Sequence, residues 1–140
     1  MLASLEKTSP EELLAGWPDG RIKLLLTQRL LRFRRVNADL FRRGSYLPLT
    51  VTGRFADCCV AFGREAEGKW IVVLVPRLSS RVGFPLVDER WKDTVIELPE
   101  TLWLAQAHDL FTCRPFPLRD RKVKLADALS ILPFAVITSL

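Results

Sequence analysis

Histidine, cysteine and long apolar runs are the scarce features of this sequence. A single histidine excludes a histidine-based metal site and leaves little room for a Ser-His-Asp triad. The three cysteines have neither a disulfide nor a metal-binding pattern, because Cys58 and Cys59 are adjacent and Cys113 is distant. No apolar run approaches the ~20 residues of a membrane-spanning helix, and the first residues lack a signal-peptide pattern. We therefore expect no metal, no cofactor, no membrane contact and a cytoplasmic location.

Motifs that would point to an active site are missing as well. The sequence contains no phosphate-binding glycine loop and no dinucleotide fingerprint. Its acidic residues are scattered, and nothing nominates a pair for acid and base catalysis. Asp57, Asp93 and Asp109 each fit a turn or a helix cap first. The sequence thus predicts no catalytic residue.

Apolar residues and positive charge are what the sequence has in quantity. Its 140 residues are 49% hydrophobic with a mean hydropathy of +0.13, which is high for a small domain and favours apolar surface that faces another molecule. Of the net charge of +5, residues 1–44 carry +4. Such a basic segment can bind nucleic acid, but the clustering is weak, and a solvated basic face explains it more simply. Nucleic-acid binding therefore ranks last among the functions considered.

Residues 20–35 read as the helix around which the chain is organised. One apolar stripe follows three- and four-residue spacing, and a second, one heptad long, lies almost opposite it. Two stripes predict a helix that is covered on both sides, one of them by a partner. The residues assigned to this docking role are Ile22, Leu25 and Phe33 on the first stripe and Leu24 and Leu31 on the second.

Arg29 interrupts the first stripe of this helix. Its guanidinium needs a carboxylate or carbonyl partner if it is buried, since an unpaired buried charge is costly. Alternatively, its long side chain carries the charge to the edge of the apolar face. We assign Arg29 a structural role and predict that it is paired.

The order of periodicities predicts an α+β fold. Ser9, Pro10 and Glu12 form a capping-box signature for a first helix. From Tyr46 onward the pattern changes to short strands, with a hairpin at residues 67–68 and a central strand over residues 70–75. We predict two parts: a helical segment at 1–44 and an all-β domain at 45–140, with the helices packed on an antiparallel β-sandwich.

The only candidate platform for stacking on a sugar consists of Trp70, Trp91 and Trp103, with Tyr46. Trp70 and Trp103 lie in predicted strands, where tryptophan fills a core more often than it binds a ligand. Trp91 lies in a predicted loop and is the carbohydrate-binding candidate, although packing is the favoured explanation there too.

Several stretches, in order, resemble the carboxyl-terminal part of maltooligosyltrehalose synthases. The resemblance runs from about Leu13 to the end, and its first stretch is the most specific. The stretches are residues 17–24, 30–35, 40–49, 73–78, 91–94 and 132–136, with sequences WPDGRIKL, LLRFRR, LFRRGSYLPL, VLVPRL, WKDT and LPFAV.

The resemblance implies a function for the parent family rather than for this chain alone. Maltooligosyltrehalose synthases are (β/α)₈-barrel enzymes of the α-amylase group. They are isomerases that convert the reducing-end α-1,4 link of a maltooligosaccharide into an α,α-1,1 link in trehalose biosynthesis. Their catalytic carboxylates lie at barrel strand ends, upstream of the matching segment, so none is carried over.

We therefore expect a non-catalytic piece that supports the barrel and is inactive alone. When made by itself, this piece is expected to form a homodimer through its helices. The alternative is a stand-alone α-glucan-binding module.

Overall fold

The structure is a computed structural model that describes residues 8–102, 106–118 and 120–140. In the described residues the helices are α1 Pro10–Ala15, α2 Arg21–Val36, α3 Ala38–Arg42, α4 Ser79–Val82 and α5 Leu125–Ala128. The strands are β1 Ser45–Pro48, β2 Thr50–Thr52, β3 Cys59–Ala66, β4 Lys69–Pro76, β5 Val95–Glu97, β6 His108–Asp109, β7 Lys122–Lys124 and β8 Ala135–Thr138.

Two antiparallel sheets contain these strands. One sheet has five strands in the order β1-β3-β4-β8-β6, and the other has three in the order β2-β5-β7. The predicted α+β class with an antiparallel sandwich is therefore confirmed.

Strand β4 lies in the middle of the larger sheet because it is apolar on both faces. Trp70, Val72 and Leu74 face the smaller sheet, whereas Ile71 and Val73 face the helices. The hairpin that leads into β4 turns at Glu67 and Gly68, both with positive φ (53° and 78°), as a two-residue turn of this hand requires. The predicted hairpin and central strand are both confirmed.

Residues 45–52 change from one sheet to the other. Strand β1 forms the edge of the larger sheet, and β2 forms the edge of the smaller one. Pro48 lies at the end of β1, where its missing N–H costs no ladder hydrogen bond. This connection ties the two sheets together at one end of the sandwich.

The helical segment begins with the predicted caps. The Ser9 hydroxyl accepts from the Glu12 backbone N–H at 3.2 Å, and the Glu12 carboxylate accepts from the Ser9 N–H at 3.1 Å, so the capping box is confirmed. Helix α2 begins after Gly20, whose φ of 75° suits glycine. Asp19 accepts from the Arg21 backbone N–H at 2.8 Å and satisfies one donor at the start of α2.

Two hydrophobic clusters give the molecule three layers. The first fills the sandwich between the two sheets, and Trp70, Trp91 and Ile96 are among its fully buried members. The second lies between the larger sheet and the helices, and joins Ile22 and Leu25 to the sheet.

The last residue of helix α3 is Arg42, and the first residue of strand β1 is Ser45. The division into two domains at residue 44 stays a prediction.

Candidate functional site

The outer face of the larger sheet carries an exposed apolar surface. Directly opposed residues of an antiparallel pair lie on the same side of a sheet, and Val60 opposes Val75 while Phe62 opposes Val73. Val60 and Val75 each remain 44% exposed, and Tyr46, stacked on Phe62 with ring centroids 5.5 Å apart, remains 57% exposed. We call this surface, formed by these five residues, the apolar face.

A groove extends the apolar face to helix α2. It has a volume of about 310 Å³, and Leu26 and Leu30 of α2 face Val73 and Val75 across it. Trp17 lies in its lining and packs edge-on against Phe84 at 5.7 Å between centroids. The apolar face and the groove are thus one continuous surface.

Helix α2 places positively charged side chains beside this surface. Its sixteen residues include five arginines and one lysine and contain no carboxylate. Lys23 and Arg34 lie next to Leu30 on one side of the helical wheel and are exposed. The Arg34 guanidinium lies 6.0 Å from the centroid of the Phe41 ring, which holds this positive charge close to the helices.

The docking role predicted for the first stripe of α2 is wrong. Ile22 and Leu25 are only 4% and 2% exposed, because the chain's own larger sheet covers them. Phe33 is half-buried and packs edge-on against Phe41 at 6.2 Å. A stripe that the chain itself covers cannot receive a partner.

The second stripe of α2 is only partly available. Leu24 is half-buried and packs on the helix-side core, whereas Leu31 is 60% exposed. Residues of three neighbouring strands, β1, β3 and β4, form the larger exposed apolar surface, and the pattern of a single segment does not reveal it.

Arg29 has the partner that its position requires. From the half-buried middle of α2, its guanidinium donates a hydrogen bond to the carbonyl oxygen of Phe111. Phe111 in turn packs edge-on against Phe134 at 4.9 Å. The prediction of a paired Arg29 is confirmed, and the partner is a backbone carbonyl.

The carbohydrate-binding role predicted for Trp91 is wrong. Trp91 ends a 3₁₀ turn over residues 88–91 that directs its ring into the sandwich, where it is fully buried. Its indole N–H donates to the Leu86 carbonyl at 2.9 Å, and Phe55 packs against its ring edge-on. No ring face is left for a sugar. Trp70 is a core residue as predicted, and Trp103 lies outside the described residues.

A second concave region lies beside strand β6 and was not found from the sequence. This cleft of about 620 Å³ combines both signs of charge with the ring of Phe116. The charged residues that line it are Asp109, Arg114, Asp120, Lys122, Lys124 and Asp127. Such a lining is typical of a site for a neutral polar ligand, which needs both donors and acceptors.

Asp109 lies at the base of this cleft and is 7% exposed. Its carboxylate accepts from the Phe111 backbone N–H and from the Thr112 hydroxyl, both at 3.0 Å, and so forms the predicted turn. Burial raises the pKa of this carboxyl above its ordinary value, although these hydrogen bonds act in the opposite direction.

The three cysteines differ in exposure, since Cys113 is exposed and the other two are buried. Cys58 and Cys59 are buried in the sandwich, and burial raises the pKa of the Cys59 thiol to about 11. In the part of the chain that the structure describes, no group of histidine, cysteine, aspartate and glutamate side chains is arranged to hold a metal ion. Over the same residues, none of the helices has both the length and the apolarity to cross a membrane.

Helices on one side of an antiparallel two-sheet sandwich define the fold class. No family model matches the chain, and neither does any curated protein. Among solved structures, the chain is similar to a mutant maltooligosyltrehalose synthase from Arthrobacter ramosus, with 23% identity and a TM-score of 0.61. The match covers 91% of this chain and 16% of that one. This similarity shows the fold.

Proposed function

We propose that this chain is the carboxyl-terminal, non-catalytic part of a maltooligosyltrehalose synthase, a (1→4)-α-D-glucan 1-α-D-glucosylmutase. In this role it packs against the catalytic barrel and stabilises it, while the barrel converts the reducing-end α-1,4 link of maltooligosaccharides into an α,α-1,1 link. The observation that carries the proposal is the fold match, which takes in 91% of this chain but only 16% of the larger enzyme.

Two further observations support a supporting role rather than catalysis. The chain buries two hydrophobic clusters of its own and still leaves the apolar face exposed. An exposed apolar surface of this kind is available for contact with a neighbouring domain. Among the described carboxylates, buried Asp109 is committed to its own turn by two hydrogen bonds. Both carboxylate oxygens of Asp109 are thus occupied by the turn, which gives this residue a structural role.

A reconstitution experiment tests this function. The catalytic barrel of the source organism's maltooligosyltrehalose synthase is produced as a separate polypeptide and mixed with this chain. We expect the chain to raise the melting temperature of the barrel and its turnover of maltopentaose. Bovine serum albumin at equal mass is the control for nonspecific protection. A barrel with the same stability and turnover in both mixtures would contradict the proposal.

The cleft beside β6 favours α-glucan binding as a second candidate function. Its volume of about 620 Å³ suits a short oligosaccharide, and the Phe116 ring with charged groups of both signs supplies stacking and hydrogen bonds. Affinity electrophoresis of the chain in gels that contain soluble starch tests this function. We expect Arg114→Ala to abolish any retardation and Lys69→Ala, outside the cleft, to leave it unchanged. Equal mobility with and without starch would exclude this candidate.

A further inference from the structure

We propose that the apolar face and its groove form the docking surface for the catalytic barrel, and that the matching barrel surface has an apolar centre and a carboxylate rim. This inference rests on the proposed function and adds the contact surface and its chemistry. It moves the predicted contact away from the residues assigned to docking on helix α2, although Leu26 and Leu30 of the same helix line the groove.

Continuity of the exposed apolar residues is the first argument. Val60 and Val75 oppose each other on adjacent strands, the next pair along is Phe62 and Val73, and Tyr46 stacks on Phe62. These contacts join residues of the three neighbouring strands β1, β3 and β4 into one patch, rather than single apolar side chains scattered over a surface. Contiguous patches of this kind mark interaction sites in soluble proteins.

The second argument is the groove beside the apolar face, which provides a concave site for a partner's side chain. Its walls are Leu26 and Leu30 from α2 and Val73 and Val75 from β4, and its lining is mostly apolar. An apolar side chain that protrudes from a partner would fill it. Pockets that bury such an anchor carry much of the energy of protein interfaces.

The charge of α2 decides which partner fits. Lys23 and Arg34 of this helix are exposed beside Leu30 of the groove, so a second copy docked on the same face would bring like charges together. Charge of like sign across an interface is unfavourable, whereas carboxylates around an apolar centre would complement Lys23 and Arg34. The occupant is therefore an acidic-rimmed surface of another domain rather than a second copy.

Two simultaneous substitutions can make the apolar face polar without disturbing the pairing of the strands. Because Val60 and Val75 are directly opposed and exposed, Val60→Lys with Val75→Glu places opposite charges across the strand pair, an arrangement that sheets tolerate well. Leu31→Lys is the matched control, since Leu31 is also an exposed apolar residue but lies on the second stripe of α2. Circular dichroism and urea unfolding establish that both variants fold.

Binding to the separately produced barrel is then measured by calorimetry. We expect the double variant to bind about tenfold more weakly or worse and Leu31→Lys to bind as the unmodified chain does. If Leu31→Lys weakens binding and the double variant does not, the docking surface is wrong but the proposed function stands. If the unmodified chain does not bind the barrel, the proposed function fails and this inference fails with it.

Salt dependence tests the carboxylate rim separately. We expect affinity to fall as salt rises, because opposite charges at the rim are screened. Lys23→Gln should reduce the slope of that dependence and leave binding in high salt unchanged. Affinity that rises with salt, or a slope that Lys23→Gln does not alter, would overturn the assignment of an acidic rim.

Discussion

The guanidinium of Arg29 in helix α2 donates a hydrogen bond to the carbonyl oxygen of Phe111, a residue 82 positions later in the chain. The bond fixes the middle of α2 against the turn that follows strand β6. It connects the helical layer to the far edge of the larger sheet, where Phe111 packs on Phe134. Arg29 thus acts as a structural link between two layers.

Removal of this link should destabilise the fold moderately. We expect Arg29→Ala to lower the free energy of unfolding by about 1.5–3 kcal/mol, because a hydrogen bond from a charged donor is lost and a carbonyl is stranded. A buried ion pair would cost about 3–5 kcal/mol. Urea unfolding measures the difference. Arg29→Met, which keeps the aliphatic stem, separates the packing contribution, and an unchanged midpoint for both variants would contradict the assignment.

Asp109 should make stability depend on pH in a definite direction. Since burial raises its pKa in the folded chain, the folded state holds this proton more tightly than the unfolded state. The contribution of Asp109 to stability is therefore present at low pH. It declines as the pH rises from the ordinary value of 3.8 through the raised folded pKa.

Asp109→Asn tests this direction, because asparagine keeps the acceptor for the Phe111 N–H and does not ionise. We expect the decline in urea midpoint as the pH rises above 3.8 to be smaller in the variant than in the unmodified chain. Asp127→Asn, an exposed position in the same cleft, is the control. Parallel pH profiles for the unmodified chain and Asp109→Asn would show that burial of Asp109 has no energetic consequence.

Trp91 should contribute to stability and not to glucan binding. We expect Trp91→Ala to cost about 3–5 kcal/mol, as large-to-small changes in a core do. Trp91→Phe should cost less, about 1–3 kcal/mol, mainly because the Leu86 carbonyl loses its indole donor. Thermal unfolding and starch-gel mobility are measured on the same samples. Loss of starch retardation in a Trp91→Phe chain that remains fully folded would restore Trp91 as a ligand-binding residue.

Local signals predicted the elements of this fold better than its surfaces. The capping box of Ser9 and Glu12, the hairpin at Glu67 and the both-sided apolar pattern of β4 each depend on neighbouring residues, and each is confirmed. The partner of Arg29 depends on a tertiary contact that no local pattern encodes. The pairing of Val60 with Val75 follows from the hairpin turn at residues 67–68, but the exposure of this pair depends on where the helices pack on the sheet.

The direction in which the Trp91 side chain points could not be derived from the local sequence either. Trp91 follows two charged residues, Glu89 and Arg90, and this setting is typical of a surface loop. The 3₁₀ geometry of the turn nevertheless points its ring inward. Sequence reasoning named Trp91 a sugar-binding candidate because of its predicted loop but favoured packing, and its burial agrees with the packing explanation.

The isolated chain should make no trehalosyl product from maltopentaose. The sequence contains no motif that matches a barrel carboxylate, and a glycosidic rearrangement of this class needs two carboxylates across one bond. Chromatography of the reaction products measures this, with the complete enzyme of the source organism as the positive control. Turnover that co-elutes with the pure chain through successive purification steps would contradict the prediction.

Self-association of the chain should increase with salt. Two copies that meet through the apolar face bury Val60 and Val75 but also bring together their α2 helices, each with six cations. At an ionic strength of about 0.01 M the Debye length is about 30 Å and repulsion acts in full, whereas at about 1 M it is about 3 Å. We therefore expect a monomer in low salt and dimers or larger species in high salt, measured by sedimentation at tens of micromolar.

Variants locate the contact that forms in high salt. Val60→Lys with Val75→Glu should keep the chain monomeric, because the apolar area that drives association is gone. Leu24→Lys with Leu31→Lys should leave association unchanged, since Leu24 already packs on the chain's own core and Leu31 alone offers little area. The opposite pattern would place the contact on helix α2, as the stripes alone suggest. A monomer at every salt and protein concentration would mean that the apolar face is too weak to bind anything without complementary charge.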